Sequence, residues 1–140
     1  MTTKRIQPDG LFQRALKGHT LYSHVVVASG KSLVFIAGQV SRDKQGQVVG
    51  AGDMVAQIRQ VGENLRTALA EAGVGLKDLV KTTTYVTDID EFFKHPEARA
   101  EIFGQALPTS TTVEVRRLSH PDMMVEIEAM AVVDNVEAAS

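Results

Sequence analysis

The residues of this chain best suited to chemistry are carboxylates, a tyrosine and a histidine in segments whose composition is typical of β-strands. Glu126 and Glu128 alternate in VEIEA, and Tyr22 and His24 alternate in LYSHVV. Partial burial raises the pKa of a carboxylate toward neutrality, which suits it to act as a general base on water. The spacing places each pair on one face of its strand, so the residue types make Glu126, Glu128, Tyr22 and His24 candidates for chemistry or ligand contact.

Each of these residues also has a structural alternative. Arg116 would oppose Glu126 across a hairpin whose turn centres on Pro121, and the two side chains would then form an ion pair. Tyr22 is by default a half-buried aromatic residue, and a lone histidine on a strand, such as His24, is more often structural than catalytic. Their placement in the fold has to decide between these roles.

Several kinds of site are disfavoured by the same sequence. Cysteine is absent, which excludes disulfides, thiol nucleophiles and thiolate metal sites. The spacing of His95 and His120 is unlike that of a metal site. Glycines 46, 50 and 52 do not form a phosphate-binding loop, because no strand leads directly into them. No metal and no cofactor is expected.

The charge and composition of the chain limit the classes of partner that it can be expected to bind. Fifteen Lys and Arg residues stand against seventeen Asp and Glu residues, for a net charge of −2. This balance offers no basic footprint for nucleic acid or for an anionic membrane. The first residues lack an apolar signal core and no apolar run reaches membrane-spanning length, so a cytoplasmic location is expected. A chain of 140 residues fits one domain with its own core.

The hydrophobic pattern predicts a single α+β domain with a mixed β-sheet and the element order ββ-α-β-α-ββ. Residues 1–20 lack periodicity and are predicted to be an irregular N-terminal arm, residues 21–133 form the domain, and residues 134–140 are predicted to fray. β-branched and aromatic content predicts strands at Leu21–Ala28, Leu33–Ala37, Leu79–Thr87, Thr111–Arg117 and Met124–Val133.

Two helices are predicted to pack on one face of this sheet. The first begins after Asp53, a good N-cap residue, and ends before Gly73, which suits a left-handed C-cap position. The second runs from Asp88 to about Ala106. Pro96 either kinks this second helix or marks its true first turn, because proline lacks the N–H donor that an interior position needs.

The last predicted strand has one apolar face and one mixed face. The apolar face consists of Val125, Ile127, Ala129, Ala131 and Val133, and the mixed face of Met124, Glu126, Glu128, Met130 and Val132. A freely solvated face rarely carries methionine and valine between its charges. We therefore expect another copy of the chain to cover the mixed face, with polar pockets where the cover is incomplete.

Four segments together resemble the RidA/YjgF family of reactive-intermediate deaminases: GQVSRDKQGQVVG, VKTTTYVTDIDEF, TTVEVRRL and VEIEAMAVV. The resemblance runs in register from about Tyr22 to Val133. It implies a chorismate-mutase-like fold and a homotrimer whose sheets form a central barrel, with three clefts between adjacent subunits. The best-known members hydrolyse enamines and imines to ketoacids and ammonia without metal or cofactor. The partners that it implies are a small organic molecule and further copies of this chain.

The resemblance also implies site residues, one position at a time. It places a cleft tyrosine at Tyr22, a glycine whose carbonyl lines the cleft at Gly38, and a glutamate that positions or activates water at Glu126. Glu128 is then interpreted as structural, because the family motif assigns the cleft position to the first glutamate. His24 lies two residues beyond Tyr22 on the same strand face and is a further candidate for the cleft.

The chain departs from the family pattern at one position. In the best-known deaminases an arginine in P-x-R-S/C-x-V-E-V grips the substrate carboxylate through two hydrogen bonds. Here Ser110 stands in place of that arginine and Thr112 in place of the small residue beyond it. The chain therefore resembles an arginine-free branch of the family. Losing two bonds worth roughly 1.5–3 kcal/mol each would weaken a ketoacid-imine by on the order of a hundredfold or more. Arg99 and Arg116 are candidate replacements.

Two functions follow from the sequence. The first is a cofactor-free hydrolase or deaminase acting on an enamine, imine or related small C–N compound in an intersubunit cleft, and not on 2-aminoacrylate. Its catalytic residue would be Glu126, and its substrate-binding residues would be Tyr22, His24, Gly38, Ser110 and Thr112. The alternative is a non-catalytic trimer that binds a small ligand or stabilises other proteins. The retained glutamate and tyrosine favour the hydrolase.

Overall fold

The computed structural model describes residues 2–134, which form six strands and three helices. The strands are β1 (Thr2–Ile6), β2 (Val25–Ser29), β3 (Ser32–Val40), β4 (Leu79–Val86), β5 (Thr109–Glu114) and β6 (Val125–Val133). The helices are α1 (Met54–Glu71), α2 (Ile89–Phe93) and α3 (Pro96–Phe103), and a 3₁₀ turn at Leu76–Asp78 leads into β4. The predicted α+β class is confirmed. The predicted fraying beyond Asp134 lies outside the described residues.

The main sheet is mixed and has the strand order β3-β6-β4-β5. Strands β4 and β5 are parallel, while β6 pairs antiparallel with both β3 and β4. The parallel pair needs a crossover connection, which α2 and α3 provide. The predicted hairpin between the last two strands is wrong, because β6 lies between β3 and β4. Glu126 consequently pairs with Val40 and Tyr85, and Arg116 does not oppose it.

The sequence predicts an irregular N-terminal arm, but the first part of this arm forms a strand. Strand β1 pairs antiparallel with β2 along its whole length, from Thr2 opposite Ser29 to Ile6 opposite Val25. The segment TTKRI shows no alternation of apolar and polar residues, so nothing local predicts this strand. Its partner β2 supplies the pairing from about twenty residues away.

Strand β2 starts four residues later than predicted, because the preceding residues bond elsewhere. The Ser23 N–H donates to the Pro108 carbonyl at 3.1 Å, and the His24 N–H donates to the side-chain oxygen of Gln7 at 3.1 Å. The first of these bonds fixes the start of β2 beside the residue that precedes β5.

Helix boundaries follow the predicted signals. The Asp53 carboxylate accepts the Ala56 N–H at 3.0 Å, and Gly73 adopts a left-handed φ of 73° just past α1. The second predicted helix is divided at His95, and Pro96 is the first residue of α3. Proline has no N–H to lose in a first helical turn, so the structure selects that alternative over a kink.

The hydrophobic core lies between the main sheet and the helices. Helix α1 packs on β3 and β6, and α3 packs on α1, so the two main helices lie on the same side of the sheet, as predicted. The apolar face of β6 is buried as predicted, with Val125, Ile127 and Ala131 fully inaccessible. No helix within residues 2–134 has the length and hydropathy to cross a membrane.

The other side of the main sheet, here called the open face, carries exposed apolar residues. Leu33 and Phe35 of the edge strand β3 are 58% and 69% exposed there, and Val113 of the opposite edge strand β5 is 39% exposed. Solvent-exposed apolar side chains of this size at both edges of one sheet face are typical of a surface that another protein covers.

One residue of the predicted mixed face is an exception. Val132 is buried, not exposed, because the turn between β2 and β3 lies against it: a Cβ built on Gly30 would stand 2.8 Å from a Val132 methyl group. Met124 and Met130 are only half-buried. The expected apolar surface therefore exists, but β3 contributes most of it.

Candidate functional site

A cavity of about 220 Å³ opens on the helix side of β5 and is here called the β5 cavity. Three of the six predicted site residues line it, together with one of the two arginines considered as replacements for the family's clamp. Its lining consists of Arg14, Leu16, His19, Leu21, Tyr22, Phe93, Arg99, Ser110 and Thr112.

Strand register places the two β5 residues in this cavity. Ser110 and Thr112 pair in parallel with Thr82 and Thr84, whose buried side chains face the helices. Alternation along a strand then directs Ser110 and Thr112 to the same side, toward Arg99 of α3. The sequence prediction that Ser110 and Thr112 belong to one site is compatible with this arrangement.

Tyr22 and His24 hold the N-terminal segment in place. The Tyr22 hydroxyl accepts the Arg14 N–H at 3.0 Å, and the His24 imidazole is bonded to the Phe12 carbonyl at 2.9 Å. The two rings contact edge to face, with centroids 5.2 Å apart. Tyr22 lines the β5 cavity, but His24 does not, so the structure gives His24 a positioning contact and its predicted contact with a ligand stays a prediction.

The structure distinguishes between the two candidate replacement arginines. Arg99 is buried in the wall of the β5 cavity, over the rings of Phe92 and Phe93 at 4.6 and 5.1 Å. Arg116 follows β5 and does not line the cavity. Arg14 does line it, and sequence analysis had missed this residue because it lies in a segment without periodicity.

Glu126 and Gly38 form a second group, on the open face of the sheet. A Cβ built on Gly38 would overlap the Glu126 carboxylate, so the carboxylate rests directly on the glycine backbone. A register shift between Ile36 and Gln39 interrupts the β3–β6 pairing at this point. Within residues 2–134 the Glu126 carboxylate has neither a hydrogen bond nor an ion pair, which leaves both oxygens available to a ligand or water.

Tyr85 is a neighbour of Glu126 that sequence analysis had missed. It pairs with Glu126 across β4 and β6, and its hydroxyl donates to the Glu128 carboxylate at 3.0 Å. This hydrogen bond raises the pKa of Tyr85 above its ordinary value, and the nearby charge of Glu126 adds to the effect. Glu128 is thus engaged by Tyr85, whereas Glu126 has no hydrogen-bond or ion-pair partner among residues 2–134.

His95 and His120, whose spacing is unlike that of a metal site, make local structural contacts. His95 bonds to the Glu91 carboxylate at 2.9 Å, and together with Lys94 this contact lowers the pKa of Glu91. The His120 ring accepts the Asp122 N–H at 3.0 Å within a turn. Among residues 2–134 no group of three His, Asp or Glu side chains is placed to hold a metal ion.

One chain does not bring the predicted site residues into one place. Ser110 and Thr112 face the helices, whereas Glu126 alternates to the open face together with Tyr85. A side chain on one face of a strand does not reach the opposite face. The β5 cavity and the carboxylate of Glu126 can therefore act on one ligand only if they come from different subunits.

Comparisons with known proteins give a consistent result. Residues 12–133 match the family model described as Endoribonuclease L-PSP. The chain is 43% identical over 111 residues to a RutC family protein of Pyrococcus horikoshii, covering 79% of this chain and 85% of that one. It is 36% identical over 104 residues to the 2-iminobutanoate/2-iminopropanoate deaminase of Salmonella typhimurium, covering 72% and 80%.

The fold is also similar to solved structures. A Yersinia pestis protein of the conserved Rid family, YyfB, described as of unknown function, superposes with a TM-score of 0.81 at 28% identity. The match covers 94% of this chain and 99% of that one. The likeness therefore extends over nearly the whole length of both chains.

Proposed function

The chain belongs to the RidA/YjgF family, whose members include imine and enamine deaminases, and we propose that it is a cofactor-free hydrolase that releases ammonia from a small imine or enamine. The observation that carries this proposal is the unpaired Glu126 carboxylate resting on the backbone of Gly38. A free carboxylate beside accessible backbone is suited to hold and activate a water molecule.

The proposed reaction is the addition of water across a C=N bond. Glu126 accepts a proton from water while the water oxygen attacks the imine carbon, and it returns that proton to nitrogen. The hydroxyl proton of the resulting carbinolamine then passes through the Glu126 carboxylate to nitrogen. The C–N bond breaks, which releases ammonia and leaves a carbonyl group. An enamine enters the same route after a proton moves to its carbon and converts it to the imine. Backbone groups near Gly38 would stabilise charge that develops during attack.

We further propose that the active unit is a homotrimer with its clefts between subunits. The open face carries Leu33, Phe35 and Val113 exposed to solvent, and covering them would bury apolar surface. The same contact would carry Glu126 of one copy toward the β5 cavity of the next. Oligomerisation thus explains both the apolar surface and the division of site residues between two faces.

The first expected result concerns mass. Light scattering at micromolar concentration is expected to give about three times the 15.2 kDa of the chain. Phe35→Glu, which puts a charge at the most exposed apolar position of the open face, is expected to dissociate the assembly without unfolding it. A monomeric wild-type protein would contradict the intersubunit cleft.

A second expected result concerns Gly38. In Gly38→Ala the new methyl group takes the space of the Glu126 carboxylate, which sits at the end of a flexible side chain and can move away. We expect the thermal midpoint to change little and ammonia release to fall about tenfold or more, because misplacement of a base by about 1 Å has effects of this order. Gly75→Ala, where an added Cβ meets no neighbour, is the matched control. Unchanged activity in Gly38→Ala would separate Glu126 from the chemistry.

The experiment that tests the function is a panel of imines and enamines, generated in place and assayed for ammonia. The panel includes small 2-imino acids, which lose the carboxylate clamp at Ser110 and keep activity only where another arginine replaces it, and larger aminomuconate-like enamines. Acceleration of at least one substrate by the wild-type protein supports the hydrolase. Ligand binding without ammonia release from any substrate supports the alternative, a non-catalytic ligand-binding trimer.

A further inference from the structure

The β5 cavity holds two positive charges against one aromatic ring. The guanidinium carbon of Arg14 lies 4.2 Å from the centroid of Phe93, and that of Arg99 lies 5.1 Å from the same centroid. Burial lowers the pKa of Arg99 to about 10, and the charge of Arg14 adds to this effect. Arg99 therefore remains protonated at neutral pH, and with the Arg14 guanidinium on the same ring the cavity carries a concentrated positive charge.

Within residues 2–134 the guanidinium of Arg99 contacts aromatic rings but has no carboxylate partner. Arg99 is 8% exposed, and its Nε and Nη1 groups have no hydrogen-bond acceptor among the described residues. Among residues 2–134 no carboxylate lines the cavity or comes within 4 Å of either guanidinium. A buried guanidinium without acceptors is costly, so such groups are normally paired. A bound anion would supply the acceptors for these N–H groups.

The remaining lining indicates what kind of anion fits. The hydroxyl-bearing residues Tyr22, Ser110 and Thr112 share the cavity with the arginines, and Leu16 and Leu21 give it an apolar wall. A volume of about 220 Å³ has room for a handful of non-hydrogen atoms and is below the usual size of drug-like sites. A cavity of this size, with guanidinium and hydroxyl groups in its wall, suits the carboxylate of a short organic acid.

We propose that Arg99 and Arg14 bind the carboxylate of a small organic acid in the β5 cavity, in place of the arginine that the family carries where this chain has Ser110. The proposal rests on the proposed function to the extent that this acid is the imine or enamine substrate, or its keto product. The arginines that bind the carboxylate would then lie on helix α3 and on the N-terminal segment that Tyr22 and His24 contact, and not on strand β5. A substrate carboxylate would accept hydrogen bonds from the Nε and Nη1 groups of Arg99.

The test is calorimetric titration of the wild-type protein with pyruvate and 2-ketobutyrate, and with pyruvamide, a neutral analogue of pyruvate. We expect both acids to bind and pyruvamide to bind at least about tenfold more weakly, because hydrogen bonds between charged groups are stronger than those to a neutral amide. Equal affinity for pyruvate and pyruvamide would overturn the proposal.

Variants identify the residues. Arg99→Gln and Arg14→Gln are each expected to weaken pyruvate binding about tenfold or more. Because Arg14 is exposed, Arg14→Gln keeps the fold even if substitution of the buried Arg99 does not. Arg59→Gln, which removes an exposed arginine paired with Glu101, is the control and is expected to leave pyruvate binding unchanged. Wild-type affinity in Arg14→Gln would overturn the role of Arg14, and in a folded Arg99→Gln it would overturn the site.

The outcomes also separate this proposal from the hydrolase itself. Pyruvate binding that depends on Arg99, without ammonia release from any substrate, would retain the anion site and contradict the hydrolase. Ammonia release that is undiminished in Arg14→Gln and Arg99→Gln would retain the hydrolase and contradict the anion site. If a carboxylate of a neighbouring subunit occupies the cavity instead, the wild-type protein will not bind pyruvate and Arg99→Gln will weaken the assembly, which overturns the proposal.

Discussion

Glu126→Gln is expected to lower ammonia release by about a hundredfold or more while the protein keeps its fold and its oligomeric state. Glutamine has nearly the shape of glutamate but cannot take a proton from water, and general-base contributions are of about this size. The side chain has no hydrogen bond or ion pair to lose within residues 2–134. The variant therefore removes a proton acceptor and little else.

The measurement is steady-state ammonia release with the best substrate of the panel, alongside light scattering on the same sample. Glu128→Gln is the matched control, two residues along the same face of β6. Its carboxylate is occupied by the Tyr85 hydroxyl, and a glutamine oxygen can still accept that bond. We expect the control to lose no more than a few-fold. Equal losses in both variants would indicate a general effect of charge on the open face and would contradict a specific base at position 126.

The elements that the sequence predicts well are those with a local signature. Helix α1 has a capping aspartate at Asp53, a regular apolar stripe and Gly73 at its end, and the structure places its ends there. Strand β1 has none of these and forms only because β2 lies beside it. The order of strands in the sheet is likewise non-local: nothing in the turn around Pro121 shows that β6 inserts between β3 and β4.

The same distinction holds for the candidate site. Glu126, Ser110 and Thr112 were identified from motifs in regular strands, and the strand register then fixes the face of each. Arg14 carries no motif, and its place in the β5 cavity depends on a hydrogen bond from its own N–H to the hydroxyl of Tyr22, eight residues away. A residue positioned by such a contact has no periodicity from which to predict it.

Gln57 illustrates a further limit, because a polar residue within the apolar stripe of α1 gives no hint of its partners. It is fully buried, and its side-chain nitrogen donates to the carbonyls of Gly50 and Asp122 at 3.0 and 2.7 Å. Its side-chain oxygen accepts the Met124 N–H at 2.8 Å. One amide thus ties α1 to the loop before it and to the segment that leads into β6, two residues before Glu126.

Gln57→Leu is accordingly expected to lower the free energy of unfolding by about 4 kcal/mol. Leucine fills a similar volume but leaves the Asp122 carbonyl and the Met124 N–H without their partner, and the Gly50 carbonyl keeps only the Asp53 N–H. Each group left without a partner costs roughly 1–3 kcal/mol. Guanidinium unfolding at matched protein concentrations measures the change, since an assembly makes stability depend on concentration. Activity is expected to fall as well, because the segment that carries Met124 loses its anchor.

Gln60→Leu is the matched control for this effect. Gln60 lies on the same helix, is half-buried, and makes a single side-chain bond, to Asn64 at 2.9 Å, so we expect a loss below about 1 kcal/mol. Gln57→Glu adds a second comparison, because a carboxylate can still accept the Met124 N–H but cannot donate to either carbonyl. If the two donated bonds carry the stability, Gln57→Glu must be at least as destabilised as Gln57→Leu. A Gln57→Leu protein as stable as Gln60→Leu would show instead that the loop and β6 hold their positions without this amide.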